Sequence, residues 1–146
     1  MSAETPSPPP GPAEVILFTD GAARGNPGPA GLGIVITDPQ GRTLKTHCRY
    51  IGKATNNEAE YRALILGLET ALQLGARIVH VRLDSELIAR QLQGQYKVKA
   101  GNLLALYHQA QTLLRRFEQT TITHVPRHLN RRADQMANQA IDEAKK

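Results

Sequence analysis

The chain has 146 residues, a formal net charge of +5 and a single cysteine, Cys48. This length suffices for one compact domain with one hydrophobic core and is too short for two ordinary domains. A lone cysteine excludes an intramolecular disulfide and a cysteine-rich zinc site. The positive charge favours a polyanionic partner, nucleic acid in the first place, because phosphates and a basic surface attract each other over long range.

Residues 1–13 are rich in proline and have no apolar face to bury, which predicts a disordered tail ahead of one domain at residues 14–146. The tail also lacks the basic and apolar regions of a signal peptide. No later stretch reaches the roughly 20 apolar residues that are needed to span a bilayer. We therefore expect a cytoplasmic protein that contacts no membrane.

Three strands joined by short turns are predicted in the first third of the chain. The apolar run at residues 14–20 is typical of a central strand buried on both faces. Glycines and prolines at residues 21–33 predict a turn before the second strand, at residues 34–37. A further turn leads to a third strand at residues 42–51. Strands connected this closely should pair antiparallel.

The remaining residues alternate between helix and strand patterns. In the first helix Leu64, Leu68 and Leu72 form one apolar row, and Gly75 is a plausible stop. Hairpins followed by this alternation predict an α/β fold with a mixed five-stranded sheet, antiparallel in its first three strands and then parallel, flanked by helices. Helices are predicted at residues 57–74, 85–93, 103–117 and 130–144, and strands at residues 78–83 and 121–125.

Two carboxylates follow predicted strands directly. Asp20 and Asp84 are each the first polar residue at the end of an apolar strand, so they are expected to meet at the edge of the sheet where open α/β proteins bind ligands. The alternative for Asp84, which precedes Ser85 and a helix, is a simple helix cap.

Two more acids lie in the first turns of helices. Glu60 precedes Leu64 by four residues and so shares its buried row, whereas Glu58 is about 200° away around the helix and should face solvent. Asp134 lies near the start of the last helix, directly after a loop from which it can reach the same edge of the sheet. The ordinary interpretation of such a residue is an acid that stabilises the N-terminus of a helix. Clustered carboxylates need a counter-charge, and an oxygen-only set of ligands indicates Mg²⁺ or Mn²⁺.

These acids lie in strings that resemble type 1 ribonuclease H, and the resemblance covers about residues 14–140. The strings are FTDG at residues 18–21, GNPGPAG at residues 25–31, TNNEAEY at residues 55–61, LDS at residues 83–85 and VPRHLNRRAD at residues 125–134. The resemblance implies the ribonuclease H-like fold and endonucleolytic cleavage of the RNA strand in an RNA–DNA hybrid, giving 5′-phosphate and 3′-hydroxyl ends.

The same resemblance implies which residues carry the reaction. The catalytic and metal-binding carboxylates would be Asp20, Glu60, Asp84 and Asp134, with Asp20 bridging two Mg²⁺ ions about 4 Å apart. Mn²⁺ is an alternative metal. A histidine in the loop before the last acid assists product release or proton transfer in many relatives. Here that loop is short and contains His128, for which a plain surface role is an equal alternative.

Substrate-binding residues are also implied by the resemblance. Short amides and exposed backbone can read the 2′-hydroxyl that distinguishes RNA from DNA, while other positions hold a phosphate of the DNA strand. For the asparagines, ordinary turn chemistry is the competing interpretation. The implied groups for the 2′-hydroxyl are Gly21, Asn26, Asn56, Asn57 and Ser85, and those for the phosphate are Lys53, Thr55 and Asn102.

The chain departs from some relatives at residues 91–101, which contain two lysines but no tryptophan, so the tryptophan-bearing basic protrusion is reduced or missing. Two competing hypotheses remain. One is a non-catalytic hybrid-binding domain of the same fold, and the other is a transposase-like nuclease that acts on DNA. We expect a monomer, because one chain supplies the complete site.

Overall fold

The computed structural model describes residues 13–145 of the chain. The predicted disordered tail lies outside the described residues except for Ala13. Within residues 13–145, no helix combines the length and the apolar composition required to cross a membrane.

In the described part of the chain, five strands form one mixed sheet in the order β3-β2-β1-β4-β5. β1 pairs antiparallel with β2, β2 antiparallel with β3, and the pairs β1–β4 and β4–β5 are parallel. The predicted fold class and strand directions are therefore confirmed. The strands are β1 (Glu14–Ala23), β2 (Gly28–Thr37), β3 (Thr43–Ala54), β4 (Ile78–Leu83) and β5 (Gln119–His124).

Helices cover both faces of the sheet. Buried residues of α1 and α3 form one apolar core with the side chains of β1, β2 and β4, and α4 packs against β2, β1 and β3. A separate group of buried residues in α4 includes Ala133, Ala137 and Ile141. The helices are α1 (Asn56–Gln73), α2 (Glu86–Leu92), α3 (Gly101–Leu114) and α4 (Arg131–Ala144), with a single 3₁₀ turn at Arg127–Leu129.

The second strand is longer than predicted, because it begins at Gly28 and not at residue 34. Gly31 and Gly33 make room for α4 within this strand, whereas Gly28 packs against the carbonyl oxygen of Arg24. A Cβ on Gly31 would lie 2.2 Å from the carbonyl oxygen of Ala137, and one on Gly33 would lie 2.1 Å from that of Ala133. Only a strand without side chains at these positions lets the backbone of α4 approach so closely.

Candidate active site

Three carboxylates from three separate elements meet at one edge of the sheet. Asp20 lies in β1, Glu60 in the first turns of α1, and Asp84 directly after β4. Because β1 and β4 run parallel with Thr19 opposite Leu83, the residues that follow in both strands emerge side by side. One oxygen from each of the three carboxylates lies within 4.8 Å of the others. The predicted convergence at the sheet edge is therefore present.

Glu60 reaches β1 because a glycine lets the two elements touch. The backbone N–H of Gly21 donates a hydrogen bond to Oε1 of Glu60. A Cβ on Gly21 would lie 2.1 Å from the carbonyl carbon of Ala59, so any other residue would push α1 away. The inward orientation predicted for Glu60 is confirmed by this contact.

The fourth acid, Asp134, faces the same pocket from α4. This pocket, about 470 Å³ in volume, is lined by Asp134 together with the other three acids. The side chain of Asp134 is 29% exposed, and its Oδ1 lies 4.0 Å from a guanidinium nitrogen of Arg127. The amide of Asn138 donates to the same Oδ1 at 3.3 Å. Asp134 is thus half-buried, and its carboxyl group lies close enough to that of Asp20 to contribute, after burial, Glu60 and Asp84, to the raised pKa of Asp20.

Within residues 13–145, no salt bridge reaches the carboxylates of Asp20, Glu60 or Asp84. Burial, followed by the charges of Glu60 and Asp84, raises the pKa of Asp20. Burial also raises the pKa of Glu60, and the hydrogen bond from Gly21 only partly opposes that shift. A bound divalent cation would supply the missing positive charge. Since all the donors are carboxylate oxygens, the set fits hard cations such as Mg²⁺ or Mn²⁺.

Asn130 supports this arrangement and was not singled out from the sequence. Its side-chain amide, 1% exposed, donates to the carbonyl oxygen of Thr19 at 2.9 Å and to Oδ2 of Asp84 at 3.3 Å. One buried amide therefore ties the end of β1 to the carboxylate that follows β4. No local pattern indicates this role, because Asn130 and Thr19 are separated by 111 positions.

Comparison with known proteins identifies the family. Residues 18–140 match the family model described as Reverse transcriptase-like. The crystal structure of RNase H1 from Halobacterium salinarum is 43% identical, with a TM-score of 0.87, covering 89% of this chain and 98% of that one. The chain belongs to the type 1 ribonuclease H family.

Two further ribonuclease H relatives bear on the site. LC11-RNase H1, solved in complex with an RNA/DNA hybrid, is 47% identical with a TM-score of 0.87, over 90% of this chain and 99% of that one. A bifunctional protein of Mycobacterium tuberculosis is 47% identical over 132 residues. That match covers 90% of this chain and 36% of the relative, so the chain spans about a third of the length of the first curated relatives.

The substrate-binding residues predicted for a ribonuclease H divide into two groups in the structure. Gly21, Asn56, Asn57 and Ser85 line the carboxylate pocket. Asn26 does not line it, but its Oδ1 accepts a hydrogen bond from the backbone N–H of Asn56 at 3.1 Å. The Oδ1 of Asn56 accepts in turn from the N–H of Ala23, also at 3.1 Å. These two asparagines therefore join the β1–β2 turn to the start of α1.

The other group lies around the N-terminus of helix α1 and consists of Lys53, Thr55 and Asn102. Thr55 caps this helix, and the carboxylate of Glu58 accepts a hydrogen bond from the backbone N–H of Thr55 at 2.8 Å. That bond, followed by one from Asn102, lowers the pKa of Glu58. Glu58 lies outside the carboxylate pocket, as predicted, and its carboxylate also completes a capping box, which was not predicted. Lys53 is exposed at the end of β3, next to this cap.

His128 lies on the 3₁₀ turn and lines a depression next to the ribonuclease H pocket. The depression and the pocket have Asp134 and Arg127 in common. Arg127 and Arg24 both line the main pocket and were not predicted. Arg24 donates to Oδ1 of Asp142 at 2.6 Å and so connects the end of β1 to α4. Arginines near turns are common, so neither residue had a distinctive sequence signal.

Proposed function

We propose that this chain is an endoribonuclease that hydrolyses the RNA strand of RNA–DNA hybrids and leaves 5′-phosphate and 3′-hydroxyl ends. The observation that carries the proposal is the convergence of Asp20, Glu60, Asp84 and Asp134 on one open pocket. The hybrid bound to LC11-RNase H1 supports the choice of substrate.

We assign the four carboxylates to two divalent cations, Mg²⁺ with Mn²⁺ as an alternative. When bound, such cations lower the pKa of an attacking water and stabilise charge on the leaving 3′-oxygen. Asp20 is the central ligand in this proposal, since it is 6% exposed and the charges of Glu60 and Asp84 both act on its pKa. Asp134 is the outer ligand in this proposal, because its side chain is partly exposed whereas Asp20 is buried.

The protein's own groups hold and orient the substrate. Gly21 offers backbone that a ribose can approach closely, and Asn56, Asn57 and Ser85 border the same pocket. Amide and hydroxyl groups there can exchange hydrogen bonds with 2′-hydroxyls, which DNA lacks. Asn26 contributes by fixing the backbone of Asn56.

A phosphate of the DNA strand is proposed to bind beside the first turn of α1, at Lys53, Thr55 and Asn102. Lys53 supplies positive charge, and the polar groups of the other two surround the helix start, where the helix dipole also favours an anion. His128 is assigned to product release, because its depression shares Asp134 with the main pocket. We further propose that the protein acts in the cytoplasm as a monomer, since one chain supplies all four carboxylates.

Strand-specific cleavage tests this function. An RNA–DNA hybrid, labelled on either strand, is incubated with Mg²⁺ or Mn²⁺ beside duplex DNA and duplex RNA. We expect cleavage of the hybrid's RNA strand only, no cleavage in chelator, and products that a 3′-end-dependent polymerase extends. Tight hybrid binding without cleavage in either metal would replace the proposal with a non-catalytic hybrid-binding domain. Cleavage of duplex DNA in preference to the hybrid would indicate a DNA nuclease.

A further inference from the structure

The edge strand β3 carries a row of basic side chains on one face. Lys45, His47 and Arg49 alternate along the strand, and their cross-strand partners in β2 are Ile36, Ile34 and Leu32. Directly opposed residues share a face of the sheet. All three partners belong to the core cluster beneath α1, so the basic row lies on the same face as α1. The pKa of His47 is lowered by burial and then by Arg49 and Lys45, which confirms that the three groups are close together.

A groove runs between this row and the helices. It has a volume of about 210 Å³ and is bordered by Arg49 of β3, Arg62 of α1 and Gln109 of α3; we call it the β3 groove. Its acidic lining residue is Glu69, two helical turns, or about 10 Å, from Arg62. Lys45, Arg49 and Arg62 are exposed. Among the salt bridges of residues 13–145, none includes these three cations. The charged residues that line the groove are thus two arginines and one glutamate, a net charge of +1.

The β3 groove continues from the catalytic edge. β3 ends at Ala54 and α1 begins at Asn56, so both elements start from this edge, and α1 then packs mainly on β1 and β2. Arg62 follows Glu58, whose pKa it helps to lower, by one helical turn. On this face Arg49 and Lys45 are spaced four residues apart, or about 13 Å at the usual rise of a strand, whereas Lys53 opposes Pro29 and lies on the α4 face, because the pairing of β2 with β3 shifts between Ala30 and Gly31. Positive side chains on the α1 face thus extend over roughly 13 Å of β3, and Arg62 borders the same groove next to the helix cap where we place the DNA-strand phosphate.

We propose that the β3 groove is an auxiliary binding site for the phosphodiester backbone of the nucleic-acid strand that runs on from the catalytic pocket. Charge complementarity and continuity with the catalytic edge carry this inference, which rests on the proposed function. The lining residues include no aromatic ring on which a base could stack, so binding there depends on phosphate and not on sequence.

Salt-dependent binding tests the groove. Each phosphate contact contributes about 0.9 to the slope of log affinity against log salt concentration. We compare Arg49→Ala/Arg62→Ala with a control pair, Arg115→Ala/Arg116→Ala, which removes the same charge from exposed positions at the end of α3. Fluorescence anisotropy is measured in an Asp20→Asn background, which prevents cleavage. The substrates are hybrids of about 8 and about 24 base pairs, roughly 27 and 82 Å at about 3.4 Å per step.

We expect the groove pair to lower the slope for the long hybrid by about 2 and for the short hybrid by less, while the control pair leaves both slopes unchanged. An unchanged slope in the groove variant, or an equal change in the control variant, would overturn the proposal. If circular dichroism shows that the alanine pair is unfolded, Arg49→Gln/Arg62→Gln is used in its place. Glutamine removes the charge and keeps the apolar part of each side chain. Failure of the proposed function is seen separately, as absence of cleavage by the chain with Asp20 intact.

Discussion

The Asn130 amide is expected to contribute both to stability and to the position of Asp84. Its hydrogen bond to Thr19 joins neutral groups and is worth about 1 kcal/mol, whereas its bond to the Asp84 carboxylate is worth about 1.5–3 kcal/mol. Asn130→Ala removes both bonds in a site that is 1% exposed. The free energy of unfolding should therefore fall by about 3 kcal/mol.

Urea unfolding in chelator measures this loss without a contribution from bound metal. Gln109→Ala is the control, because Gln109 is an exposed amide on α3, and its removal should change stability by less than about 0.5 kcal/mol. Because Asp84 also loses its anchor, calorimetric titration should show weaker Mg²⁺ binding by Asn130→Ala. A loss of less than about 1 kcal/mol together with unaltered Mg²⁺ affinity would refute the assigned role.

Three further predictions concern packing, pH and a buried hydrogen bond. Gly33→Ala places a Cβ 2.1 Å from the carbonyl oxygen of Ala133, so α4 must shift and stability should fall by about 1–3 kcal/mol in urea unfolding. The pKa of Asp20 is raised from 3.8 to about 10 without metal, so the folded chain keeps a proton that the unfolded chain releases. The unfolding free energy in chelator should therefore fall as pH rises from about 5 to about 9, and Asp20→Asn should flatten this dependence. Tyr61→Phe removes the hydroxyl that donates to Oε1 of Gln91 and leaves a buried acceptor unpaired, so thermal unfolding should show a loss of about 1–3 kcal/mol.

Much of the fold follows from local patterns in the sequence. The start of β1, the apolar row of α1 and the short β4 were predicted because periodicity reports which residues are buried. The start of β2 was not predicted, because Gly31 and Gly33 make room for α4, a helix about 100 residues further along the chain. A glycine that makes room for a distant backbone has the same sequence signal as a glycine in a turn.

The site shows the same division between local and distant information. Asp20 and Asp84 were recognisable because each ends an apolar strand, and Glu60 because of its place in a helical row. The capping role of Glu58 was not predicted, because helical angle alone does not reveal the hydrogen bond between its carboxylate and the Thr55 backbone. The contacts of Asn130 connect parts of the chain that only the folded sheet brings together, so local spacing does not predict them.

The most direct test of the carboxylate pocket compares wild type with Asp20→Asn on one labelled RNA–DNA hybrid in Mg²⁺. Asparagine keeps the shape of the aspartate and removes its charge. We predict that both proteins bind the hybrid and that only wild type cuts the RNA strand, with a loss of at least about 10³-fold in the variant, equivalent to about 4 kcal/mol of transition-state stabilisation. Cleavage by Asp20→Asn at the wild-type rate would contradict the central role given to the carboxylate pocket.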